Sequence, residues 1–200
     1  MLYYERKLKK KGYDFIIGVD EVGRGPLAGP VVACAATLIT ARFKNRIDDS
    51  KRLSPKAREA AFPELIQKTI FGIGIINQRT IDAANIEVAT RMAMQQAIEG
   101  LILKLKTADY KKIHILVDGK IKLETKFPYT NIIRGDSRSK SIASASILAK
   151  VIRDRMMSLY DRIYPQYGFC QHKGYPTKRH KEALEKFGPS SIHRMSFNCV

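Results

Sequence analysis

Four carboxylates stand where short apolar runs end: Asp20 and Glu21 after FIIGV, Asp118 after IHILV, and Asp136 just beyond a run at Thr130 to Ile133. Acidic residues at strand ends beside loops are typical of sites in open α/β sheets. One such residue alone is usually a helix cap or a turn former, and Gly135-Asp136-Ser137 also reads as a turn. Four of them closing three strands is a pattern that chance rarely supplies. Crowded carboxylates repel one another and hold their protons unless a cation shares the site, so the set implies Mg²⁺ or Mn²⁺. Hard oxygen ligands in a basic protein point to phosphodiester chemistry, in which two ions stabilise the attacking and leaving oxygens.

Competing readings of the same residues are weaker. The segment GVDEVGRG looks superficially like a P-loop, but Arg24 and Gly25 stand where Lys and Ser/Thr are needed. Gly23, Gly25 and Gly29 imitate a dinucleotide fingerprint, yet two adjacent carboxylates would repel a pyrophosphate that lacked a metal. Cys170 and His172 have no partners with which to hold zinc. Met92 and Met94 fall in a helical apolar pattern and read as core filler. Neighbouring strand residues point to opposite faces, so Asp20 and Glu21 serve one site only if the strand ends or twists there, which Gly23 and Gly25 favour.

Lys and Arg number 36 against 19 acidic residues, a net charge of +17 that draws the chain to polyanions, nucleic acid first. The apolar share of 44% and the charged share of 28% fit a globular protein without linkers or low-complexity stretches. Two hundred residues suit one α/β domain with an appended piece. Cys34, Cys170 and Cys199 are odd in number and widely spaced, which excludes a disulfide framework and fits a reducing compartment. MLYYERKLKKKGYDF lacks the apolar run of a signal peptide. The longest uncharged stretch, 25–41, is short and broken by Pro26, Gly29 and Pro30. The expectation is a cytoplasmic monomer with no membrane contact.

These carboxylates need a frame. Phe15 to Asp20 and Val31 to Ile39 are near-continuous apolar runs, the mark of strands buried on both faces, and they predict a long hairpin. Ser54-Pro55 is an N-cap and first helical residue, opening a helix that ends before a third strand at Phe71 to Ile76. Apolar spacing from Asn85 to Lys106 predicts a long amphipathic helix. Strands at Ile113 to Val117 and Thr130 to Ile133 follow, then a helix rich in Ala and Ser from Ser139 to Tyr160. A last helix at Thr177 to Phe187 ends at Gly188-Pro189. The pattern predicts an α/β domain with a mixed central sheet flanked by helices and a C-terminal helical cap.

Six blocks in order then carry a resemblance to bacterial ribonuclease HII over nearly the whole chain. They are GVDEVGRGPLAGPVVA, DSKRLS, NIEVATRMAM, VDG, GDSRSKSIASASILAKVIRDR, and HKGYPTKRH with GPSSIHRMSF. The resemblance implies an RNase H-like core of about 14–160 with a helical substrate-binding part of about 161–200, together a single domain over 1–200. It implies cleavage of the RNA strand of RNA–DNA hybrids and nicking of duplex DNA 5′ to misincorporated ribonucleotides, giving 5′-phosphate products. Asp20, Glu21, Asp118 and Asp136 become the metal-binding set. Asp154 competes for the fourth position, but it ranks second because a mid-helix Asp between Arg153 and Arg155 is more simply an ion-pair member.

The resemblance further implies that Gly23, Arg24 and Gly25 present backbone groups to the 2′-hydroxyl and that Tyr175 packs on the next sugar, with Lys51 and Lys173 as phosphate contacts. Lys120 and Cys199 depart from the family pattern. Neither is expected to touch the acidic set, though Lys120 puts fine substrate preference in doubt. Two rival readings stay open: a non-catalytic hybrid-binding protein, and a metal nuclease acting on plain DNA.

Overall fold

The structure, a computed structural model, describes residues 1–105 and 109–197. Five strands, β1 (Phe15–Val22), β2 (Val31–Leu38), β3 (Thr69–Ile76), β4 (Ile113–Asp118) and β5 (Tyr129–Ile132), form one sheet in the order β3-β2-β1-β4-β5. The first three make an antiparallel meander, while β4 lies parallel to β1 and β5 parallel to β4. The expected mixed sheet and its long β1–β2 hairpin are both present.

Seven helices accompany it among the described residues: α1 (Tyr3–Lys10), α2 (Pro55–Lys68), α3 (Gln78–Ala84), α4 (Ile86–Ile102), α5 (Lys140–Ile163), α6 (Phe169–His172) and α7 (Lys178–Phe187). Strand alternation sorts the layers. Ile17, Val19, Ala33 and Ile115 face one side and pack on Ala93, Ala97 and Leu101 of α4. Val32, Cys34 and Ala36 face the other and pack on α2 and on Ala145 and Leu148 of α5. Apolar burial on both faces is why β1 and β2 read as continuous rather than alternating runs.

Local chemistry sets the helix starts. The Ser54 hydroxyl accepts from the Ala57 amide with Pro55 at the first turn, and Ser139 and Thr177 cap α5 and α7 in the same way. Asn85 caps α4, at φ 69°, and does not belong to it; its side chain accepts from Glu87 and Val88. That helix ends at Ile102, and the expected extension to Lys106 reaches outside the described residues, as does Cys199. The structure adds α1, α3 and the short α6, which the apolar pattern did not announce. Ala28, Met157, Tyr167, Phe169 and Leu184 form a separate small core that seats the C-terminal helices on the end of α5. No helix among the described residues is long and apolar enough to cross a membrane.

Candidate active site

Val19 of β1 lies opposite Val117 of β4 in parallel register, so the next residue along each strand is an aspartate. By alternation Asp20 and Asp118 share the face on which Leu116 meets Ile142 of α5. Asp136 arrives in a 3-10 turn, Gly135–Ser137, between β5 and α5. That turn is tied to β4 because the Gly135 amide donates to Asp118 Oδ1 at 2.6 Å. The result is three carboxylates with one oxygen apiece, all within 4.8 Å of one another.

Burial dominates the charge state of Asp20 and Asp136. It raises the Asp20 carboxyl well above the usual range, helped by the charges of Glu21 and Asp118, and against the lowering effect of the Ser146 hydroxyl and the Glu21 amide. Asp136 is pushed up to about 6, again by burial first and then by Asp118 and Asp49. A close set of hard oxygen donors, two of them buried, fits a divalent cation, and no His or Cys among the described residues belongs to the group.

Glu21 corrects one expectation. The strand neither ends nor turns at Asp20 but continues to Val22, so Glu21 faces the α4 side. It lines a cleft with Asp118, Arg24, Lys120 and Glu87, and its Oε1 sits 3.6 Å from the Arg24 guanidinium. Burial raises its carboxyl and Asp118 adds to that, while Arg24 pulls it down. Glu21 therefore interacts with Asp20 and Asp118 by charge and is not among the close oxygens of the three aspartates. Lys120 lines the same cleft, nearer the acids than the sequence led us to expect.

Asp154 is not one of the three. It pairs with Lys150 at 2.7 Å and with Arg58 at 3.7 Å. Lys51 sits in the short 3-10 turn Ser50–Arg52, where burial lowers its ammonium but Asp20, Asp136, Asp49 and Asp118 together raise it. Its field is thus that of the acids. Asp49, unremarked in the sequence although it opens the DSK block, acts on Asp136 by charge and by a carboxyl hydrogen bond.

The sequence profile of the family Ribonuclease HII matches residues 17–200. A ribonuclease HII of Syntrophotalea carbinolica is 44% identical over 200 residues, covering 100% of this chain and 92% of that protein. This chain belongs to the ribonuclease HII family. Among solved structures, the ribonuclease H2 of Pyrococcus horikoshii OT3 shares the fold with a TM-score of 0.71 at 24% identity, over 92% of this chain and 94% of that one. Bst-RNase HIII in complex with Mn²⁺ shares it with a TM-score of 0.68 at 16% identity, over 92% and 65%.

In this ribonuclease HII chain the glycine loop after β1 is held from behind by two fully buried arginines that sequence reading missed. Arg194 donates to the carbonyls of Gly23 at 2.6 Å, Arg24 at 3.0 Å and Gly29 at 2.8 Å. Arg153 donates to Pro30, Ala28 and, across the groove, Lys173. Gly23 has φ 96°, and a Cβ there would fall 2.3 Å from Arg153 Nε, so only glycine fits. The Leu27 amide donates to the Gly174 carbonyl at 2.8 Å, and Tyr175 lies near enough that a Cβ on Gly25 would be 3.7 Å from its ring. The structure thus sets Gly25 beside the Tyr175 ring and ties the glycine loop to the backbone of Lys173 and Gly174, while the Arg24 side chain lines the cleft of Glu21 and Asp118.

Beneath Tyr175 runs a chain of neutral histidines. The Ser190 amide donates to His193 Nδ1 at 2.8 Å, which leaves the His193 Nε2 proton for His180 Nε2 at 3.0 Å. His180 Nδ1 then donates to the Tyr175 carbonyl at 2.9 Å. His172 stacks on His180 and bonds the Tyr167 carbonyl. Burial lowers all three below the usual histidine range, His193 to about 4.

Proposed function

We propose that this chain hydrolyses RNA–DNA hybrids and nicks duplex DNA on the 5′ side of a misincorporated ribonucleotide, leaving a 3′-hydroxyl and a 5′-phosphate. Membership of the ribonuclease HII family makes it an endoribonuclease acting on RNA in hybrids, and that class is metal-dependent. The observation that carries the site is the close trio of Asp20, Asp118 and Asp136. With Glu21 these residues hold the metal, Mg²⁺ or Mn²⁺, as their hard oxygens suit. When bound, two such ions stabilise the attacking and leaving oxygens of the phosphodiester.

The remaining work belongs to the chain. Arg194 takes up the carbonyls of Gly23 and Arg24, which supports a loop whose amides meet the 2′-hydroxyl, the group that distinguishes RNA from DNA at one position. Tyr175, 39% exposed above the histidine chain, packs on the adjoining sugar and aligns the scissile phosphate. Lys173 contacts a phosphate, and Lys51 does so while balancing the acids. The chain acts as a single cytoplasmic, monomeric unit in which the part from about 161–200 grips the duplex and the core cuts it.

Asp118→Asn tests this. Cleavage with Mn²⁺ should fall to the metal-free background while hybrid affinity stays equal or rises, since one negative charge is gone. Turnover near the wild-type rate would remove the trio from the reaction.

A further inference from the structure

Of the residues of α1, only Leu8 and Glu5 are buried, and Glu5 is a carboxylate just 6% exposed. Its Oε1 accepts from the Ser139 hydroxyl at 2.6 Å, the Ser141 amide at 3.0 Å and the Ser141 hydroxyl at 2.9 Å. Its Oε2 is buried with no hydrogen-bond partner. A buried carboxylate left half satisfied is costly, so its place has to be sustained by what Oε1 holds. What it holds is the first turn of α5, where free amides and the helix dipole both favour an anion.

That turn touches two of the three acids' supports. Ser139, the N-cap of α5, donates its amide to the Gly135 carbonyl at 2.8 Å, and Gly135 begins the turn that carries Asp136. Ser141 presses on β1: a Cβ on Gly18, two residues before Asp20, would lie 2.1 Å from the Ser141 carbonyl carbon. The end of α5 gripped by Glu5 is therefore wedged between the strand of Asp20 and the turn of Asp136. We propose that Glu5, from a helix ahead of the span matched by the family profile, is a positioning residue that sets the spacing between the carboxylates of Asp20 and Asp136 and so the affinity of the metal site. This rests on those aspartates being the metal ligands.

The test is direct Mn²⁺ binding to the free protein, by titration calorimetry and by the loss of the free-ion electron paramagnetic resonance signal, for wild type, Glu5→Ala, Glu5→Gln and Asp136→Asn. Far-ultraviolet circular dichroism confirms that each is folded at the temperature used. We expect Glu5→Ala to weaken Mn²⁺ binding about tenfold, the lower end of what losing a supporting hydrogen-bond partner does to metal sites. Its KM for a hybrid duplex should stay within about twofold of wild type, and Glu5→Gln, which keeps the acceptor, should recover most of the affinity. Wild-type Mn²⁺ affinity in folded Glu5→Ala would overturn the proposal, as would a Gln variant no better than Ala. If Glu5→Ala does not fold, Ser141→Ala decides: weaker Mn²⁺ binding supports the role and unchanged binding overturns it. Asp136→Asn separates the premises, because wild-type affinity there would overturn the ligand assignment itself.

Discussion

The amide of Gly135 and the carboxylate of Asp118 are joined by a 2.6 Å hydrogen bond, which fastens the turn bearing Asp136 to the strand end bearing Asp118. Two acids from the ends of separate strands are thereby held close before any cation arrives. Burial first, and then the charge of Asp118, push the Asp136 carboxyl up to about 6.

A stability prediction follows for the metal-free protein. A carboxyl whose folded pKa exceeds its unfolded value of about 3.9 contributes stability that is full below that value and is lost as pH rises through about 6. Asp136→Asn should therefore be more stable than wild type in chelator at pH 7.5, by about 2 kcal/mol, with the difference shrinking toward pH 5. The comparison is between variant and wild type at each pH, because the C-terminal histidines titrate in the same range with the opposite sign. Thermal melts read the difference. A variant less stable than wild type at pH 7.5 would mean that the carboxylate is held by compensating contacts, not strained by its neighbours.

The histidine chain makes its own prediction. Burial depresses these groups, His193 to about 4, so their stabilisation is full above the unfolded value of about 6.5 and is lost as pH falls through the folded values. At pH 5.5, nitrogen-15 NMR should find His193 neutral, with its proton on Nε2. An imidazolium signal from His193 in the folded protein at that pH would break the chain that supports Tyr175.

Much of this frame was legible. Apolar runs announced β1, β2 and β4, and Asp20, Glu21 and Asp118 stand where those runs close, because a strand buried on both faces must be apolar until it leaves the core. Other features were not legible, for physical reasons. Helix α1 carries only Glu5 and Leu8 into the interior, too little for an apolar period. That Glu21 stands on the α4 side, apart from the close oxygens of Asp20, Asp118 and Asp136, was not legible, because sequence cannot say whether a strand continues past its acidic residues. Asp49 was overlooked beside Lys51, since its effect on Asp136 exists only once α5 brings the two loops together. Arg153 and Arg194 look like surface residues in any one-dimensional pattern, because what buries them is a set of loop carbonyls, most of them more than a hundred residues away.

Charge leads to a third prediction. Affinity for a hybrid duplex should fall steeply with salt, and Lys173→Ala should reduce the log–log slope by about one unit if it neutralises one phosphate. Lys51→Ala should change the slope by a similar amount and also lower kcat, since its ammonium lies in the field of the aspartates. Unchanged slopes in both variants would assign the two side chains to solvent or to internal pairing.

On the function proposed above, the acidic site cuts only where the glycine loop and Tyr175 find a 2′-hydroxyl. The most direct measurement is the initial rate, with Mg²⁺ or Mn²⁺, on three otherwise identical duplexes carrying ribose, deoxyribose or 2′-O-methyl ribose at one position. The ribose duplex should be nicked on the 5′ side of that nucleotide whatever its base, and the other two should resist, because the loop amides lose their partner or meet a methyl group. Equal cutting of the deoxyribose duplex would contradict the account, even with the metal site intact.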